Sequence, residues 1–441
     1  MAEVKLKKSK NKKIFKFKNG ATIVYQKDSR ADYSSVQAGF ICGTNKNTQN
    51  GLAHFCEHMM FNGTNKRSKE QIDEDKEKVC FMNAATGLNV LYVKFHRCNR
   101  KFADGMEFAS DLLLNSNFTK EMVDKERGII KEEYLKSADK EKHSVVFFHD
   151  RQQFDTKSDA EHSLGTPEDI DKISLKALDK YKNDNFVAKN FVFSYCGNLK
   201  LSKVKKLAQK YFVDKLKENP NYEINICKYN ITKKPSIKAI ENDDKGVQVM
   251  LSFAFNKSEK EMEYDYNVRF LSEYMMRNKN QFFNLLRNNG LVYTASAYPV
   301  SFEKQSIFIF ALKTSPEKIE DCFKVINNSV VNIIKNKLST DEVETIKNNI
   351  LDRNDEHVST KTKADKTSAN MRTFISEGKF EFMPWKKEKK LIKSITPESV
   401  NEFAKEVFTK DNKPYVTILG NTNKVKMPSY AKACSILLKD L

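Results

Sequence analysis

The sequence predicts two similar domains in one chain, each layering β-strands with amphipathic helices in an α+β or α/β arrangement. Three observations carry this reading. At 441 residues, the chain is long enough for two to four domains of the usual ~100–200 residues. The chain also repeats itself in order, with a slowly growing offset. Within each half, short strand-like runs alternate with stretches of helical hydrophobic period.

Taken in order, the basic opening MAEVKLKKSKNKK leads into IFKFKNGATIVY, which alternates like a strand and lacks the apolar core of a secretory signal. Val36-Gln37-Ala38-Gly39-Phe40 reads as a strand, and Val247-Gln248-Val249-Met250-Leu251 echoes it 211 positions later. The stretch His54 to Asn62 aligns with Phe270 to Asn278, 216 positions later. Helical period covers Met106 to Asn115, Thr119 to Lys136, Leu201 to Tyr211 and Pro316 to Lys337. Both halves close alike. A helical stretch from Ile173 to Tyr181 leads to the strand Phe191-Val192-Phe193-Ser194-Tyr195 and then Gly197-Asn198. After Ile395-Thr396-Pro397, a helical stretch leads to Tyr415-Val416-Thr417-Ile418-Leu419 and then Gly420-Asn421, 223 positions on. Prolines and polar residues from Asn219-Pro220 to Pro235 interrupt the pattern. The predicted domains are therefore 1–228 and 229–441.

The 77 Lys+Arg outnumber the 58 Asp+Glu, for a net charge of +19. Such an excess suits a nucleic-acid partner only when it is concentrated in recognition elements. Here it is nearly all Lys, with 11 Arg, and is spread among acidic residues along the whole chain, so a solvated shell is expected and no nucleic-acid partner. No stretch nears the ~18 consecutive apolar residues of a membrane span. The 8 cysteines are scattered singly and read as reduced thiols, which together with the missing signal predicts a cytoplasmic protein.

The chemistry is written in the first half. His54-Phe55-Cys56-Glu57-His58 fits His-x-x-Glu-His, an inverted zinc-protease signature. On a helix, histidines four apart project from one face and can share a divalent ion. Glu57 sits beside the second ligand, where its carboxylate suits a general base acting on water. With 7 His in the chain, a chance match is expected in roughly 1 in 100 such sequences. Zinc in a catalytic site wants a third protein ligand. The helix from Met122 to Glu133 offers Glu126 and Glu133, two turns apart and predicted to fall within the apolar stripe of Met122, Val123, Ile129 and Ile130. A carboxylate drawn into such a stripe is costly unless paired or metal-bound. The second half cannot repeat the site, because Phe270 and Tyr274 replace both histidines.

The sequence resembles the pitrilysin, insulin-degrading enzyme and mitochondrial processing peptidase family of zinc metallopeptidases, the inverzincins. The resemblance spans almost the whole chain: Gly51 to Phe61, Asn83-Ala84-Ala85-Thr86, Glu126 to Glu133, Leu164-Gly165-Thr166-Pro167-Glu168-Asp169-Ile170, and Leu286 to Tyr293. It implies an α+β fold of two homologous domains, each a mainly antiparallel sheet flanked by helices, forming a clamshell. It further implies that His54, His58 and Glu133 bind one Zn2+ per chain, that Glu57 activates the water, and that Glu126 is a supporting acid. Arg287 and Tyr293 match second-domain residues that act on the substrate carbonyl, and Asn83 and Ala84 match a strand edge that pairs with an extended peptide. The implied function is a zinc endopeptidase acting on peptides or short unfolded segments, as a homodimer or with a related chain, in the cytoplasm or alternatively the mitochondrial matrix. The alternative is a non-catalytic or weakly active partner subunit of a two-chain processing peptidase. The Arg287 to Tyr293 spacing, one residue shorter than the family pattern, favours that alternative.

Overall fold

The computed structural model describes residues 11–79, 81–154, 163–227, 231, 233–256, 261–279, 281–301, 305–336, 338–360, 362–377, 385–423 and 426–441. The chain forms two compact units. One gathers residues 1–137, 158–227 and 360–382, and the other gathers 138–157, 228–359 and 383–441.

The first unit carries strands β1 (Lys12–Lys16), β2 (Thr22–Lys27), β3 (Tyr33–Phe40), β4 (Phe81–Thr86), β5 (Leu91–Cys98) and β6 (Phe191–Gly197). Its helices from the first half of the sequence are α1 (Leu52–Met59), α2 (Lys69–Val79), α3 (Phe102–Asn115), most of α4 (Lys120–Lys142), α6 (Pro167–Lys172), α7 (Leu175–Asn185) and α8 (Leu201–Tyr211). The sheet order is β1-β2-β6-β3-β5-β4, and only β2 and β6 run parallel.

The second unit carries β7 (Ile237–Glu241), β8 (Val247–Asn256), β9 (Thr294–Ser301), β10 (Gln305–Thr314) and β11 (Tyr415–Gly420), in the order β7-β11-β8-β10-β9. Only β7 and β11 are parallel. Its helices are α5 (Val145–Gln153), α9 (Glu261–Arg277), α10 (Phe282–Asn288), α11 (Ile319–Lys335), α12 (Thr340–Thr360), α14 (Trp385–Lys393), α15 (Pro397–Val407) and α16 (Tyr430–Leu437). With β1 set aside, the two sheets repeat one strand order with the same strand senses. The duplication legible in the sequence is thus a duplication of topology.

The central strands β3 and β6 are buried along almost their whole length, as expected of strands covered on both faces. One face of the first sheet places Val36, Ala38, Phe40, Phe193 and Tyr195 against α1 and α3. The opposite face is covered by α13 (Lys363–Glu377), which comes from the second half of the sequence. Met371 and Ile375 pack there on Val24, Ile41 and Val192. Around that apolar patch the contact is polar: Gln37 donates to Ser368 Oγ at 3.0 Å, and Ser194 Oγ donates to the Thr367 carbonyl at 2.9 Å. Lys366 Nζ lies 2.6 Å from Asp28, whose carboxyl Arg30 and Lys366 hold well below the usual carboxylate range.

The second unit receives α5 from the first half of the sequence in the same way. Val145 joins Met250, Ile307, Ile309 and Leu419. His149, fully buried, sets its two ring nitrogens 2.9 Å from Thr417 Oγ1 and 2.9 Å from Ser252 Oγ. A single division at 228/229, as the repeat predicts, therefore differs from the observed units. The segment 138–157 and the segment 360–382 each cover a sheet built from the other half of the chain. Among the described residues, no helix is long and apolar enough to cross a membrane.

Burial pushes the His149 imidazole down to about 3 from its ordinary 6.5. In the unfolded chain the same ring takes up a proton near ~6.5, so the unfolded state binds more protons as pH falls through that window, and folding is weakened. Between pH 7 and pH 5, the stability advantage of wild type over His149→Asn should shrink by about 2 kcal/mol in urea titrations. An advantage that holds constant would contradict the neutral buried ring.

Candidate metal centre

Helix α1 starts at Gly51, whose φ of 80° is left-handed and where a Cβ would strike the Leu164 carbonyl oxygen. Close packing of the 164–165 turn on the helix start therefore requires glycine. Asn47 Oδ1 accepts the Ala53 N–H at 2.9 Å. Leu52, Phe55, Cys56 and Met59 join the core and fix the rotation of the helix. His54 and His58 then stand together, ring centroids 4.5 Å apart, with side chains only 12% and 20% exposed.

Helix α4 lies alongside. Its Arg127 donates to the carbonyls of Ile170 and Ile173, the latter at 3.0 Å, and its guanidinium sits over the Phe55 ring of α1. Val123, Glu126 and Ile130 are its buried residues. Glu126 Oε1 meets His58 Nδ1 at 2.8 Å. Two turns on, Glu133 Oε2 lies 3.3 Å from His58 Nε2 and 3.8 Å from His54 Nε2. One donor atom from each of His54, His58 and Glu133 falls within 4.8 Å of the others. Ligands of a tetrahedral zinc at ~2.0–2.1 Å stand roughly 3.3 Å apart, so the set fits such an ion after small adjustments. Among the described residues, one other trio of possible donors exists: His143, Asp243 and Asp244. It lies at the surface of the second unit, with Asp243 side-chain exposure at 88%.

The electrostatics favour a cation between these groups. Burial, and then the neighbouring His58, push His54 down to about 4. Burial opposes charge on His58 as well, yet Glu126 and Glu133 draw it up to about 9. Without metal, one proton on His58 thus supplies the positive charge that the carboxylates demand. Glu126 is lowered because His58 and Asn62 outweigh its burial. Glu133 is lowered first by its contact with His58. Glu57 moves the other way: burial raises it, against the Thr86 hydroxyl, which donates to Oε2 at 2.8 Å.

The two acids on α4 differ from the sequence expectation. Glu126 is buried, at 5% exposure, but Glu133 does not lie in a buried apolar stripe: its side chain is 48% exposed and Ile129 is 49% exposed. The helix turns its buried face through Val123, Glu126 and Ile130, so Glu133 reaches the histidines from the rim of that face. Asn83 and Ala84 lie on β4, the last strand of the sheet, which among the described residues pairs only with β5. Asn83 is exposed and its Oδ1 accepts the Ala84 N–H at 2.9 Å. Thr86 ends the same strand, so this edge runs directly to Glu57. Arg287 and Tyr293 belong to the second unit, where a turn through Gly290 (φ 63°) brings them together. Arg287 Nη1 donates to the Tyr293 carbonyl at 2.9 Å, and Tyr293 is 74% exposed. Sequence reasoning gave no role to Thr86 or Asn62. Both stand inside stretches singled out for other reasons, and no spacing rule marks a side chain that acts through a carboxylate.

Residues 22–167 match the family model described as insulinase, peptidase family M16, and residues 172–350 match that described as peptidase M16 inactive domain. The chain is 29% identical over 199 residues to a probable mitochondrial-processing peptidase subunit beta of Schizosaccharomyces pombe, a match covering 44% of this chain and 43% of that one. That match thus spans less than half the relative's length. An uncharacterized zinc protease of Bacillus subtilis, YmxG, is 22% identical over 408 residues, covering 90% of this chain and 96% of its own. In fold, the chain is similar to a peptidase M16 inactive domain from Pseudomonas fluorescens, with a TM-score of 0.76 at 15% identity over 95% of this chain and 99% of that one. It is also similar to the first half of the periplasmic protease PqqL from Escherichia coli, with a TM-score of 0.79 at 16% identity over 98% and 97%.

The start of α1 is open to test. Gly51→Ala adds a left-handed strain and a backbone collision, together costing on the order of 1–3 kcal/mol. Its melting temperature should fall by several degrees in a thermal scan. An unchanged value would mean that the 164–165 turn does not clamp this helix.

Proposed function

Because this chain belongs to peptidase family M16, we propose that it is a zinc-dependent endopeptidase that cleaves peptides or short unfolded segments. The observation that carries the proposal is the convergence of His54, His58 and Glu133, with Glu57 held beside them by Thr86. The names of relatives such as YmxG support zinc as the ion. A zinc ion held by His54, His58 and Glu133 would supply Lewis acidity, polarising a peptide carbonyl and lowering the pKa of a water to around 7.

The chain's own residues do the rest. Glu57 takes the proton of the attacking water and returns it to the leaving amine; its burial raises its pKa, which favours holding that proton between the two steps. Thr86 donates to one carboxylate oxygen, which leaves the other for the proton it must collect. The open edge of β4, through Asn83 and Ala84, pairs with an extended peptide backbone and sets its register. Arg287 and Tyr293 are proposed to donate to the carbonyl oxygen as it gains charge, a contribution commonly worth ~3 kcal/mol per donor.

A second reading is that the chain works with a related partner, as a subunit of a two-chain peptidase or as a homodimer. The relatives named subunit beta favour it. The proposed location is the cytoplasm, with the mitochondrial matrix as the alternative that those relatives raise.

Glu57→Gln should keep zinc at one ion per chain, measured by elemental analysis, while cleavage of a peptide library falls by at least ~100-fold. His58→Ala and Glu133→Ala should lose the metal. Turnover retained by Glu57→Gln would sink the assignment. Cleavage that appears only when a related chain is added would select the two-chain reading.

A further inference from the structure

We infer that Asn62 is the positioning residue of the metal centre, setting the orientation of His58 through the Glu126 carboxylate; the inference rests on the zinc reading of the site. Asn62 lies just after α1 and is 4% exposed. Its Nδ2 donates to the His58 carbonyl at 3.0 Å and to Glu126 Oε2 at 2.9 Å. Glu126 Oε1 meets His58 Nδ1 at 2.8 Å. Backbone, amide, carboxylate and imidazole thus close a hydrogen-bonded loop. A primary amide has two N–H donors, and these two contacts use both. With Oε2 held by Asn62, the carboxylate plane is fixed, Oε1 is aimed at Nδ1, and the Nε2 of His58 is left facing Glu133. Orientation of a ligating imidazole by a partner on its other nitrogen is what tunes metal affinity.

The second half of the chain supplies an independent observation. Counting 216 positions on from His58, Asn62 and Glu126 gives Tyr274, Asn278 and Glu342. These residues rebuild the Asn-carboxylate link, with both donors on one carboxylate oxygen. Asn278 Nδ2 donates to Glu342 Oε1 at 2.7 Å, and the Tyr274 hydroxyl donates to the same oxygen at 3.3 Å. The metal donors, however, are gone, with Phe270 for His54, Tyr274 for His58 and Asn349 for Glu133. The Asn-carboxylate link is therefore a part of the fold that exists without a metal. In the first unit the same link also faces an imidazole whose far nitrogen belongs to the donor set, so orientation is added to the bracing. The molecule thereby carries its own control for the purely structural contribution.

The experiment compares Asn62→Ala and Asn278→Ala in the full chain, measuring zinc affinity by competition with a chromophoric chelator and stability by thermal unfolding. Both variants should lower the melting temperature. Asn62→Ala should weaken zinc binding by about 10- to 100-fold, while Asn278→Ala should leave it at the wild-type value. If Asn62→Ala does not fold, Asn62→Ser, which keeps one donor, should show the same weakening. Zinc bound as tightly by the Asn62 variants as by wild type, or weakened equally by Asn278→Ala, overturns the inference. A wild-type chain with no zinc affinity overturns the zinc reading of the site, and this inference with it.

Discussion

The 2.8 Å hydrogen bond between His58 Nδ1 and the buried carboxylate of Glu126 is the contact on which the site depends. A carboxylate taken out of water costs several kcal/mol unless a charged or strongly hydrogen-bonding partner meets it. Helix α4 buries its Val123-Glu126-Ile130 face where partners for that acid wait, and the His58 imidazole of α1 and the Asn62 amide just after it provide them. Once that register is set, the next acid on the same side of α4, two turns along, arrives at the other nitrogen of the same ring. His58 lies between two carboxylates seven residues apart, and the trio with His54 follows from helix geometry.

Around this contact the fold shows how one framework can be kept while its possible donor residues are not. The two units share strand order and strand senses, and both hold an Asn against a buried or half-buried Glu beside the helix that follows their third sheet neighbour. Each sheet also needs a cover for its second face, and each takes it from the other half of the sequence, α13 in one case and α5 in the other. These covers meet the sheets through hydroxyls, amides, a lysine-aspartate pair and a buried histidine as much as through apolar side chains. Buried polar pairs of this kind are costly when broken and specify one docking.

Much of this was legible in the residues themselves. The spacing of His54 and His58, the repeat offsets and the strands Val36 to Phe40 and Phe191 to Tyr195 follow from period and position, which packing preserves. The exchange of α5 and α13 was not legible, because hydrophobic pattern is the signal that sequence reading uses and these helices dock as much through polar groups as through apolar ones. Glu133 was singled out on an argument that the structure corrects. It is a half-exposed acid at the edge of the helix face, and Glu126 is the buried one. Spacing drew attention to both acids, but only packing assigns which is covered. Thr86 and Asn62 donate to neighbouring carboxylates at 2.8 and 2.9 Å, contacts that depend on tertiary structure and leave no local pattern.

The central claim, a metal held by two imidazoles and one carboxylate, is tested most directly by zinc K-edge X-ray absorption on the purified, zinc-loaded chain. The account predicts a first shell of only nitrogen and oxygen at ~2.0–2.1 Å, with outer-shell scattering from two imidazole rings. Sulfur scattering at ~2.3 Å, or the signature of fewer than two imidazoles, would contradict it.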